Sequence, residues 1–261
     1  MASLNHTIRS FNRFELKYLI TLQEAERFRH ALRAYLLPDD NGETQGCYEL
    51  SSLYYDSPDL RCYWEKVDGL KFRRKLRIRL YGDRVPDDDT IVYVEIKQRV
   101  DRVTQKRRVA LPLCQALRFC DDREMPPFDP QDRLVIEEIQ AFLWHYNLHP
   151  TCLVRYNRQA LIGSAYDIGL RVTFDTAMSY QTLPLDLRGR ACGMAMFPGG
   201  WTIMEIKVNE RIPYWLTELV AAHNLRMVRV SKYCRSIELA HDSGSGGALS
   251  CRDGIAHLKK E

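Results

Sequence analysis

VYVEIKQRVDRVTQKRRVAL, residues 92–111, alternates apolar and polar side chains in the rhythm of two paired strands. Alternate residues of a strand share a face. Tyr93, Glu95, Lys97 and Arg99 therefore lie on one side, and Val92, Val94 and Ile96 on the other. After Arg102 the chain continues as VTQKRRVAL, and only one parity of its basic run, Lys106 and Arg108, shares the charged side; Arg107 faces away. This one stretch thus predicts a sheet with one apolar face and one strongly basic face, headed by a glutamate.

The same pattern recurs along the chain. In KLRIRLY, Lys75, Arg77, Arg79 and Tyr81 oppose Leu76, Ile78 and Leu80. In RFELKY, Arg13, Glu15 and Lys17 oppose Phe14, Leu16 and Tyr18. In IMEIKV, Glu205 and Lys207 oppose Met204, Ile206 and Val208, and in RVTFD, Arg171, Thr173 and Asp175 oppose Val172 and Phe174. Glu-x-Lys occurs on three of these strands, at Glu15/Lys17, Glu95/Lys97 and Glu205/Lys207. A single such strand reads most simply as half of a solvated antiparallel sheet. Five with arginine-rich faces read differently, because rows of like charge repel unless an anion lies between them. A closed barrel with the basic rows inside would take an extended polyphosphate. Its glutamates suit a divalent metal bound to phosphate oxygens.

The remaining sequence predicts helices around this sheet. TLQEAERFRHALRAYL, from Thr21, carries a capping-box spacing to Glu24 and an apolar stripe through Ala25, Phe28 and Leu32. Pro38 to Gly42 end it in a loop. CYELSSLYYDS reads as a strand, Leu60 to Val67 as a short helix, and residues 112–126 as partly helical. DRLVIEEIQAFLWHYNLH reads as a helix ending before Pro150, and YWLTELVAAHN as one following Pro213. TCLVRYNRQALIG, LRVTFDTAMSYQT and WTIMEIKVNE are further strands. The expectation is one α+β domain built on an antiparallel sheet or β-barrel with flanking helices, over residues 10–240. A flexible tail, with SGSGG at 243–247, covers 241–261.

Composition narrows the function classes. The 261 residues carry a net charge of only +4, but residues 71–81 hold six basic residues and no acid. Such local runs point to a polyanionic partner. No stretch of about 20 apolar residues predicts a transmembrane helix, and the N-terminus lacks an apolar leader core, so a cytoplasmic protein is expected. The eight cysteines are scattered without CxxC spacing and read as reduced thiols. His145 and His149 lack a third ligand for a metal site. The phosphate-binding motif GxxxxGK[ST] is absent.

FELKY, SSLYYDSPD, KLRIRLYG, VEIKQR with KRR, RYNRQA, RVTFD, MEIKV and SKYCRS occur in this order. The series resembles the VTC-type polyphosphate polymerase domain of the triphosphate tunnel metalloenzyme (CYTH-like) superfamily. The resemblance implies an antiparallel β-barrel tunnel flanked by helices, and a metal-dependent polymerase, with Mn2+ or Mg2+, that transfers the ATP γ-phosphate onto inorganic polyphosphate. By motif, Lys17, Arg77, Arg79, Lys97, Arg171 and Lys232 are implied at the reaction centre, and Lys66, Lys106, Arg108 and Arg155 as further phosphate ligands. In RYNR, Arg155 is taken in preference to Arg158. Glu205 is the implied metal ligand, with Glu15 assisting; Glu95 either helps hold metal or orients its basic neighbours. Two alternatives stand beside it: a triphosphatase that uses the same cage with water as acceptor, and a noncatalytic polyanion-binding module, which gives the repeated glutamates no role. ATP and polyphosphate are the expected partners, nucleic acid is not, and any delivery across a membrane would need another protein.

Overall fold

A computed structural model describes residues 14–39, 46–101, 103–164, 167–189, 193–209 and 211–244. Arg13, the loop after Asp39, Arg102 and the tail from residue 245 lie outside the described residues.

Strands β1 (Phe14–Thr21), β2 (Leu36–Pro38), β3 (Cys47–Asp56), β4 (Phe72–Tyr81), β5 (Ile91–Val100), β6 (Val103–Pro112), β7 (His149–Gly163), β8 (Arg171–Gln181), β9 (Met194–Ala195) and β10 (Trp201–Val208) form one sheet. Its main path runs β1-β10-β8-β7-β3-β4-β5-β6, with β2 added to β7 and β9 to β8. Every ladder is antiparallel. β5 and β6 stay paired out to Val100 and Val103, with Asp101 at φ 53°; aspartate tolerates this left-handed conformation better than most side chains.

The helices are α1 (Leu22–Leu32), α2 (Arg61–Val67), α3 (Leu113–Leu117), α4 (Arg133–His145), α5 (Tyr214–Ala222) and α6 (Lys232–Gly244). α1 starts with the expected capping box: Glu24 N donates to Thr21 Oγ1 at 3.1 Å, and Thr21 N to Glu24 Oε2 at 2.7 Å. The segment at 112–126 is helical only over α3 and a following π-helical turn, Arg118–Asp122. α4 stops four residues earlier than its periodicity suggests, because β7 already begins at His149.

The apolar strand faces are covered from outside. Leu76, Ile78, Val92, Val94 and Ile96 pack with Phe119, Ile136, Ile139 and Phe142 of the α3–α4 layer. Tyr18, Val172, Phe174, Met204 and Ile206 pack with Phe28 and Leu32 of α1 and Leu216 of α5. The opposite face carries the charges, and at one end an apolar plug in which Tyr233 and Ile237 of α6 meet Tyr54, Tyr156 and Ile203. Burial of apolar area, about 25 cal/mol per Å², is what fixes this inside-out arrangement.

The closed barrel expected from the sequence is not formed by hydrogen bonding. β1 and β6 end the path without a shared ladder among the described residues. The reason lies at the free edge of β1. Val228 N donates to the Lys17 carbonyl at 2.7 Å, and Tyr18 forms an isolated bridge with Met227. The segment leading into α6 thus takes up, at Lys17 and Tyr18, part of the edge that closure through β6 would need. The sheet still curls deeply, because Lys97 of β5 reaches Glu15 of β1 at 2.9 Å.

Candidate functional site

The concave face is lined by strands β1, β10, β8, β7, β3, β4, β5 and β6, with α2 and α6 contributing from one end. On β1 and β10, Lys17 stands opposite Glu205, and Glu15 opposite Lys207. Glu205, 4% exposed, is surrounded by cations: Lys207 at 2.8 Å, Lys17 and Lys232 each at 3.3 Å, and Arg158 at 3.7 Å. Asp175 is fully buried beside it. Arg158 grips it with Nε and Nη2 at 2.6 and 2.7 Å, and Lys232 lies 2.5 Å away. Burial alone would raise the Asp175 and Glu205 carboxyls, but these cations hold both low. Glu15 is likewise held far down by Lys97 and Lys17 against its burial.

A second cluster sits on β4, β5 and β6. Glu95 has no exposed surface. It accepts from Arg77 Nη2 at 2.6 Å and Nε at 2.9 Å, and from Lys106 at 3.3 Å, with Arg108 at 3.8 Å. Its enclosure by three cations makes Glu95 a positioner of Arg77. Arg79, 5% exposed, donates to Ser52 Oγ at 3.2 Å and Tyr156 OH at 2.8 Å. Lys75 donates to Ser231 Oγ at 2.9 Å. At the rim, Arg171 contacts Asp39 at 2.5 Å and Tyr48 OH at 2.8 Å.

Cations outnumber carboxylates on this face; the carboxylates raise Lys17, Arg77, Arg158 and Lys232 against their burial, while burial prevails at three lysines. Burial pushes the Lys207 ammonium down to about 8, and its bond to Glu205 offsets this only partly. Burial first, then Arg73, Lys75 and Lys17, push Lys66 down. Burial also lowers Lys106 despite Glu95. A buried excess of positive charge is stabilised by an incoming anion, and arginine forks with lysine point charges suit phosphate oxygens.

The structure brings Lys17, Lys97, Arg77, Arg79, Lys106, Arg108, Arg171, Lys232, Glu15 and Glu205 to this face, with Lys66 at its α2 end. Arg155 lies elsewhere. It points to the outer face and meets Gln181 Oε1 at 3.2 Å and the Asp186 and Gly189 carbonyls. There it lines a separate cavity of about 200 Å³ with Glu49, Arg84 and Arg188. Arg158 occupies the interior instead. Both faces of β7 are apolar over much of its length, Leu153 and Leu161 outside and Val154 and Tyr156 inside. Alternation therefore marks two sides of this strand without telling which is enclosed. A bulge near Ala177, at φ 49°, shifts the β7–β8 register between Arg155 and Asn157, and Asp175 lies directly opposite Arg158. Asp175 and Lys207 were legible as members of polar strand faces, but nothing in their local sequence marked them as partners of the central cluster.

Among the described residues no group of three or more His, Cys, Asp or Glu side chains is arranged around a common metal position. Glu15 and Glu205 share one cation, the Lys17 ammonium, 3.3 Å from each. Two carboxylates suit Mg2+ or Mn2+ when phosphate oxygens and water complete the shell. The buried Thr173 Oγ1, in register with Glu205, has no hydrogen-bond partner among the described residues, so the spot has spare polar capacity. The donor set fits a metal shared with substrate.

A family model for the VTC domain matches residues 12–241. The chain belongs to the VTC domain family. A curated relative, vacuolar transporter chaperone complex subunit 4 of Trypanosoma cruzi (strain CL Brener), is 25% identical over 277 residues, covering 87% of this chain and 34% of that protein. This VTC-family chain therefore spans about a third of the relative's length. Among solved structures, a candidate adenylate cyclase from Bacillus halodurans is 13% identical with a TM-score of 0.48, covering 85% of this chain and 96% of that one. A protein from Pyrococcus horikoshii is 14% identical with a TM-score of 0.45, covering 88% and 99%. No helix among the described residues of the VTC-family chain is long and apolar enough to cross a membrane. Its described cysteines are free.

Proposed function

We propose that this VTC-family chain is a metal-dependent polyphosphate polymerase that transfers the γ-phosphate of ATP onto the end of an inorganic polyphosphate chain. The observation that carries this reading is the curled basic face, in which a surplus of lysines and arginines surrounds the buried carboxylates Glu205 and Asp175 and the half-buried Glu15. Phosphoryl transfer asks little covalent chemistry of a protein. It asks for donor and acceptor in line and for neutralised charge on the transferring group.

Arg77 and Arg79 bind the transferring phosphate through their guanidinium forks, with Arg77 aimed by Glu95. Lys17, Arg158, Arg171, Lys207 and Lys232 hold neighbouring phosphates from the β1–β10–β8–β7 side and α6. Lys97, Lys106 and Arg108 run along β5 and β6 and line the path of the growing chain, with Lys66 at the α2 end. Glu205 and Glu15 would hold Mn2+ or Mg2+, which supplies charge neutralisation at phosphate oxygens. The relative is named as a subunit of a complex, which supports partner proteins for this chain as well.

Purified protein incubated with ATP and Mn2+ tests the proposal. Long chains resolved on a polyacrylamide gel support polymerisation. Release of free phosphate alone makes the chain a triphosphatase. If Glu205→Gln leaves polyphosphate binding and turnover intact, the metal assignment fails. Salt-sensitive binding with no turnover makes it a noncatalytic module.

A further inference from the structure

Lys17 is the cation that Glu15 and Glu205 share. Its Nζ lies 3.3 Å from Glu15 Oε1 and 3.3 Å from Glu205 Oε1, and donates to the Val230 carbonyl at 3.2 Å. The β1–β10 register sets Lys17 directly against Glu205, so the contact follows from strand pairing and not from a chance rotamer. Glu15 is also held by Lys97, and Glu205 by Lys207 and Lys232. A divalent ion entering between the same two carboxylates meets an ammonium already there. Two cations within one partly buried pair of anions repel strongly. A displaced Lys17 loses its counter-charges in a site already rich in cations, which is costly unless an anion takes their place.

We infer that Lys17 is the cation that a metal must displace from the Glu15–Glu205 pair, and that metal and phosphate bind by a double exchange: the metal takes the two carboxylates, and a phosphate oxygen takes the lysine. This rests on the proposed role of Glu15 and Glu205 as metal ligands. No bond is made or broken, and each charge leaves one partner for another. Metal and polyphosphate binding are then positively coupled, and by linkage each strengthens the other.

Isothermal titration of the full chain with Mn2+ alone tests the exchange. Lys17→Met is expected to bind Mn2+ more tightly than wild type, on the order of tenfold, within the usual range for coupled sites. A Lys17→Met protein that binds Mn2+ no more tightly than wild type overturns the exchange. Lys17→Gln, with circular dichroism to verify folding, repeats the comparison with a polar side chain. The wild-type protein offers a second readout, the acylation rate of Lys17 followed by peptide mass spectrometry. Saturating Mn2+ should raise that rate, and added tripolyphosphate should lower it again; an unchanged rate overturns the inference. Glu205→Gln separates the two failures. If it binds Mn2+ as wild type does, the metal assignment falls and the exchange with it. If Mn2+ binding depends on Glu205 but is insensitive to Lys17, the exchange alone falls.

Discussion

Lys97 on β5 lies 2.9 Å from Glu15 on β1, although five strands separate β1 from β5 along the sheet. That contact measures how far the sheet has curled. It also brings a basic side chain from one edge region to a carboxylate at the other, across a seam that backbone pairing leaves open.

The Lys97 side chain is 39% exposed, so solvent screens the pair. It should contribute under about 1 kcal/mol to stability. Lys97→Met is therefore expected to lower the thermal midpoint by less than about 4 °C, while weakening tripolyphosphate binding several-fold. Calorimetry and a binding titration on the same sample check both. A larger fall in the midpoint would mean that this contact holds the curl together.

Arg158 and Arg155 should separate cleanly. Arg158→Met leaves Asp175 buried beside Lys232 alone, and breaking such a buried pair costs about 3–5 kcal/mol. Arg158→Lys keeps the charge but loses the fork, and should lower tripolyphosphate affinity by about tenfold, the loss of one good charge-assisted hydrogen bond. Arg155→Met, on the outer face, should leave that affinity within about twofold, as surface changes do. Equal losses from Arg155→Met and Arg158→Lys would contradict the assignment of inner and outer faces on β7.

Acid should weaken the fold through Glu95. Burial alone would raise its carboxyl, but Arg77, Arg79 and Lys106 hold it far below the ordinary value of 4.5. A carboxyl depressed in the folded state contributes stability that is complete above its unfolded pKa and is lost as pH falls toward the folded one. Denaturant titrations should show wild-type stability declining as pH drops below 4.5. Glu95→Gln should be less stable at neutral pH by about 3–5 kcal/mol, since it leaves Arg77 without its buried partner, and its decline in acid should be shallower. An unchanged acid slope would remove Glu95 as a source of that dependence.

Tyr233 ties α6 to the strand layer. Its hydroxyl donates to Asp56 Oδ2, and Asp56 also accepts from the Cys62 and Tyr63 amides at 2.8 and 3.0 Å. Tyr233→Phe removes one bond and leaves Asp56 paired by the others, so it should cost about 1 kcal/mol. Because Lys232 precedes Tyr233 at the start of α6, the variant should also weaken polyphosphate binding. Equilibrium unfolding and a salt-matched binding assay test the pair of effects; a stability loss with unchanged affinity would uncouple Tyr233 from the position of Lys232.

Much of this was legible in the linear chain. Period-2 alternation placed Arg77 and Arg79 opposite Leu76 and Ile78, and Lys106 and Arg108 opposite Arg107, whose guanidinium binds Glu138 on the outer helix α4. The Thr21–Glu24 cap marked the start of α1 correctly, because a cap is a contact between residues three apart. Arg155 was misplaced where local pattern is silent. β7 has apolar side chains on both faces, so nothing within it distinguished Arg155 from Arg158.

The sequence by itself determined which side chains travel together: basic rows on one side of each strand, apolar rows on the other, and helices amphipathic enough to cover the apolar side. Those relations are set within a few residues by backbone periodicity. Only the tertiary structure decided which carboxylate faces which cation, that Met227 and Val228 lie against the edge of β1 that a barrel would have closed, and that Lys17 lies between Glu15 and Glu205. These depend on contacts between residues far apart in the chain, where strand order, register and bulges choose among pairings that local patterning leaves equally open.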